Sequence, residues 1–163
     1  MNMGSTASDL SALLLTGAQG NYSDEAAVGL LVGHGMWLTR SAFVRACVTV
    51  EDGVGADSGP MAFVDWHVAI RALDGGELPC STSEASILRI AAGIGGVPVD
   101  LRVMLGGLDA ENVLLVAKAV MHANGTPIAT LPSLPPSASD VERPEITSAS
   151  FQTSALPEGG HRG

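Results

Sequence analysis

Aromatic residues are scarce: Phe, Trp and Tyr together make up 4% of the 163 residues. A core must therefore come from Ala, Val, Leu, Ile and Met, which pack closely but each bury little area. Lysine is almost missing. Lys118 is the only one, and the net charge is −9. Neutralising phosphates requires clustered Lys and Arg, so this balance argues against nucleic acid and against anionic membrane surfaces. Two cysteines cannot build a disulfide scaffold. No apolar run approaches the roughly 20 residues of a membrane helix. The short run "LSALLL" follows Asp9 and no Lys or Arg, so neither a secretory signal nor a span is expected and the expected compartment is the cytoplasm.

What is present is helix punctuation. Hydrophobic residues make up 46% and charged residues only 15%, which suits one domain with apolar faces to spare. Residues 1–21 are rich in Ser, Gly and Ala without a usable period and read as a disordered leader, with a helical turn around Leu10–Leu15. "SDEAAVGLLVGHG" starts at Ser23 with a capping residue and two acids in its first turn, and is apolar nearly all round, so it is expected to be buried. "TRSAFVRACVTVED" reads as a second helix whose β-branched "VTV" pulls its end toward an extended form. "EDGVGADSGP" is a loop. "MAFVDWHVAIRALDGG" then puts Phe63, Trp66, Ile70 and Leu73 on one helical stripe.

"LPCSTSEASILRI" contains Ser81-x-x-Glu84, the reciprocal capping box, with Pro79 directing the entry and Cys80 just before the cap. A short helix is expected over about residues 99–105. A longer one follows, capped by Asp109 and stopped at Asn124-Gly125. Six prolines among the residues beyond Gly125 preclude further helix, so 126–163 reads as a disordered tail. Within it "EITSASFQTSAL" carries Ile146, Phe151 and Leu156, either as a short partner-binding motif or as stray apolar residues. No strand pair is evident. The expected fold is all-α: a compact bundle of five or six short helices over 22–125, with a helix-turn-helix-like C-terminal half and disordered tails.

Chemistry is harder to find. Cys80 at a helix start has the position of an activated thiol, but a nucleophile also needs a base, and no spacing selects His34, His67 or His122. Packing as a small hydrophobe explains Cys80 as well. Asp65 and His67 are two apart on a helix and diverge. No C-x-x-C, H-x-x-x-H or clustered-acid motif suggests a metal. "GHG" and "GIGG" follow no strand and lack a phosphate loop's Lys-Ser/Thr, so they read as helix stops. No catalytic, cofactor-binding or metal-binding residues are therefore assigned. "VDLRVMLGGLDAENVLLVAKAV" has the layout of a helix-turn-helix, but its second helix opens on Asp109, Glu111 and Asn112, the wrong chemistry for DNA.

The segment 65–125, through its Trp66 helix, "GELPCS", "ILRIAA", "GLDAEN" and "AVMHANG", resembles small uncharacterised proteins of actinomycetes. The Ala-, Gly- and Arg-rich composition fits such a GC-rich source. The resemblance implies a cytoplasmic all-α protein and carries over no catalytic residue. The expected function is non-enzymatic protein–protein interaction, as an adaptor or homodimer. Association is expected through apolar helix faces at Trp66, Ile70, Val113 and Ala117, with Phe151 from the tail. A helix-turn-helix-like regulator and a thiol-dependent enzyme using Cys80 are the alternatives.

Overall fold

The computed structural model describes residues 6–53 and 59–126, so Phe151 and all but the first residue of the proline-rich tail lie outside the described residues. The described residues open with a helix, α1 (Ala7–Ala18), where a disordered leader with only a helical turn around Leu10–Leu15 was expected. Thr6 Oγ1 accepts from the Asp9 N–H while Asp9 reaches back to the Thr6 N–H, a capping box written with Asp instead of the usual Glu or Gln. Leu10, Leu14 and Ala18, spaced by four, are all buried. That stripe holds the segment in place despite its weak composition.

Next comes α2 (Tyr22–His34), capped by Asn21 rather than Ser23 and closed by Gly35 in the left-handed region at φ 75°. A single 3₁₀ turn (Trp37–Thr39) leads to α3 (Ser41–Cys47). Where "VTV" begins, the helix gives way to β1 (Val48–Glu51), which pairs antiparallel with β2 (Met61–Val64) in the register Val48↔Val64 to Glu51↔Met61. The fold is thus mostly helical with a small two-stranded sheet, not strictly all-α. β-branched side chains at 48–50 favour the pleated form, and the segment from Met61, expected to be helical, is a strand until Asp65. Phe63 consequently belongs to a strand and not to the helical stripe assigned to it.

Asp65 turns the chain: its N–H donates to the Cys47 carbonyl and its side chain caps α4 (Trp66–Asp74) through the Val68 N–H. α5 (Thr82–Ile94) starts at the Ser81–Glu84 capping box, which forms as expected. A five-residue α6 (Leu101–Leu105) and α7 (Ala110–Ala123), capped by Asp109, complete the described chain. Among the described residues this makes seven α-helices against the five or six expected, and none is long and apolar enough to cross a membrane.

Two apolar clusters form the core. One gathers Leu10, Leu14, Leu31, Trp37, Phe43 and Leu88, and the other Ala26, Leu30, Ile87, Ile90 and Val116. α2 and α5 contribute opposite faces to both, which is why α2 reads as apolar nearly all round. Trp66 packs against both clusters. Its indole passes so close to the end of α5 that a Cβ at Gly95 would lie 2.5 Å from Trp66 Nε1.

Candidate functional site

α7 presents three distinct faces. The inner one, Asn112, Val116 and Ala119, is buried. Asn112 Nδ2 donates to Ser83 Oγ and to Asp109 Oδ2, both at 3.0 Å, so this polar residue ties the start of α7 to the start of α5. A second face, Leu115, Lys118 and His122, looks along α2. There His122 Nε2 lies 2.7 Å from Glu25 Oε2, and its ring meets Tyr22 edge-on at 5.9 Å.

The third face is apolar and uncovered. Val113 and Val120, two turns apart, are 47% and 53% exposed, with half-buried Ala117 between them. Beside it lies α6, in which no residue is buried and Leu101 and Leu105 are 51% and 48% exposed. Leu101, Leu105, Val116 and Val120 line one groove of about 400 Å³ together with Ile90, Ile94 and neighbouring residues. Val103, on the other side of α6, borders a second groove with Cys80 and Arg89. A helix of five residues has no stability of its own, and here Met104 is its one residue packed against the second core cluster.

Of the residues singled out in the sequence, Val113 and Ala117 fall on this uncovered face. Trp66 and Ile70 do not: Trp66 is half-buried between the two core clusters, and Ile70 is half-buried on α4. Leu101, Leu105 and Val120 were missed. The signal for them was in "LRVML", a one-turn segment with four apolar residues in five and no polar face to give the solvent.

Cys80 lies in a groove whose lining includes Ser81 and Arg89 but no histidine. Burial, and next the Glu84 carboxylate, push its thiol pKa up against the opposing Arg40 and Arg89. It is half-buried and packs against the first core cluster, as a residue preceding a cap can. Cys47 is buried and its thiol is pushed up to about 11 by burial and by the carboxylates of Asp65 and Glu77.

A polar knot also holds the N-terminal end of α5. Arg40 pairs with Glu84 at 2.7 Å, donates to the Pro79 carbonyl and stacks over Trp37, 5.2 Å from the ring centre. Trp37 Nε1 donates to the Glu84 carbonyl at 3.1 Å. Arg89 pairs with Asp74. Arg40 and Arg89 are thus engaged within the chain, and Asn112 in the first turn of α7 is turned inward. Among the described residues no group of three His, Cys, Asp or Glu side chains is placed to hold a metal ion. No protein-family model, curated protein or solved structure matches the chain.

Proposed function

We propose that the protein works by association, as an interaction module that pairs with a second copy of itself through the apolar face of α6 and α7. The observation that carries this reading is α6, a helix that buries none of its residues and yet is mostly apolar. Leu101, Leu105, Val113 and Val120 leave on the order of 300 Å² of apolar surface in one region, at the lower end of the exposed patches that are often functional. The face also lacks charge at its centre. In a chain of net charge −9, an apolar centre allows two like-charged copies to meet with their acids at the rim.

The test is sedimentation velocity at several protein concentrations and two salt concentrations. A reversible dimer is expected, strengthened by salt because screening weakens the repulsion between like-charged copies. The double variant Val113→Lys/Val120→Lys should be monomeric with unchanged circular dichroism. Val50→Lys, at another exposed apolar residue on the hairpin, should dimerise as before. A wild-type monomer throughout the concentration range would defeat the proposal, as would a double variant that still pairs.

A further inference from the structure

On the opposite side of α7 from that face, a groove of about 460 Å³ runs between α1, α2 and α7. The volume falls within the roughly 300–1,000 Å³ typical of small-ligand sites. Its floor is apolar, with Leu30, Leu115 and Ala119, and Leu15 of α1 forms one shoulder. One stretch of wall is Gly29, in the interior of α2. A helix-interior glycine costs about 1 kcal/mol relative to alanine, and it is usually kept because a neighbour needs the room. Here a Cβ would meet nothing within 4 Å, so the missing side chain widens the groove instead.

The rim carries charge that is unevenly satisfied. Both oxygens of Glu25 are occupied from within the chain: Oε1 accepts from the Gly20 N–H at 2.9 Å and Oε2 faces His122. The Gly20 N–H and then the His122 ring hold that carboxyl below its ordinary pKa. Lys118, also on the rim, makes no ion pair among the described residues. It is the one rim charge left to meet a ligand, and it is positive.

We propose that this groove binds a small anionic amphiphile, a hydrocarbon chain ending in a carboxylate, with the chain along Leu30, Leu115 and Ala119 and the carboxylate at Lys118. The unmatched ammonium supplies the preference for the anion, the apolar floor supplies the affinity, and Gly29 leaves the chain its path. Because this face of α7 points away from Val113 and Val120, the site does not depend on self-association.

Calorimetric titration of the full chain with decanoate and decyltrimethylammonium, each below its micellar concentration, and with decanol below its solubility limit, tests the idea. Decanoate should bind once per chain. Decanol should bind more weakly and the cation more weakly still. Lys118→Met should weaken decanoate at least tenfold and leave decanol unchanged, and Gly29→Leu should weaken both. The comparison of the three ligands on the unaltered protein stands even if a variant fails to fold. Absence of saturable decanoate binding would overturn the proposal. So would equal binding of the cation, or a folded Lys118→Met that binds decanoate as tightly as the wild type.

Discussion

Gly17 and Gly29 both sit inside helices, and helix propensity alone predicts that alanine at either would stabilise the protein by up to about 1 kcal/mol. The structure assigns them opposite signs. A Cβ at Gly17 would run into the carbonyl oxygen of Ala62 on β2, and Phe63 Cε1 would be 3.2 Å away. The oxygen is part of a paired strand and cannot rotate aside as a side chain could. Overpacking of this kind costs about 1–3 kcal/mol, and the rigid partner places Gly17→Ala toward the upper end. If α1 lifts off to relieve the clash, it uncovers Leu10 and Leu14, each worth about 1.5–3 kcal/mol when fully buried. After the propensity gain, a net loss of about 2 kcal/mol remains. At Gly29 nothing lies within 4 Å, so alanine gains propensity and loses nothing. Urea unfolding followed by circular dichroism should therefore show a lower midpoint for Gly17→Ala and a slightly higher one for Gly29→Ala. Equal stabilisation of both would mean that α1 is not packed on the hairpin.

Two further outcomes concern titratable groups. Burial holds the His34 imidazole below its ordinary value of 6.5, outweighing the attraction of Glu84 and Asp109, and its Nδ1 is buried without a partner. The unfolded chain therefore takes up the proton first. The stability this contributes is present above pH 6.5 and is lost as the pH falls through that value toward the lower folded one. In His34→Gln the slope of unfolding free energy between about pH 7 and 5 should flatten, and an unchanged slope would refute the assignment. For the thiols, iodoacetamide at near-neutral pH should modify both cysteines more slowly than a free thiol. Half-buried Cys80 should lead, and Cys47 should react only as fast as the protein opens, while rapid alkylation of Cys80 would show a thiolate that the raised pKa denies.

The sequence was most informative where side chains complete a helix end locally. Ser81 with Glu84, and Asp109 before α7, are read within four residues and form as expected. α1 used the same device with Asp9 in the third helical position, and the Ser- and Gly-rich surroundings hid it. The hairpin was illegible for another reason. Phe63 stands three residues before Trp66, so a strand residue fell into register with a true helix and extended it on paper, whereas the pairing that decides the matter joins Val48 to Val64, far apart in the sequence. At the candidate face, Val113 and Ala117 follow from helical spacing. Trp66 was drawn into the same list because amphipathicity cannot distinguish a residue that packs between two clusters from one that faces a partner. α6 escaped because one turn carries no period.

The pairing of α2 with α7 bears on how the chain acquires its shape in time. Glu25 and His122, which meet at 2.7 Å, are 97 positions apart. Helical proteins usually fold quickly because their contacts are local, but this layer closes one of the longest loops available to the described chain. Closure entropy grows slowly with loop length, so this contact costs more to close than the local helix contacts do. During synthesis at about 5–20 residues per second, the face of α2 carrying Ala26 and Leu30 waits on the order of ten seconds for α7 to be made. The small residues of that face, Ala26 and Gly29 around a single leucine, make it less adhesive during the delay than a row of large aliphatic side chains would be.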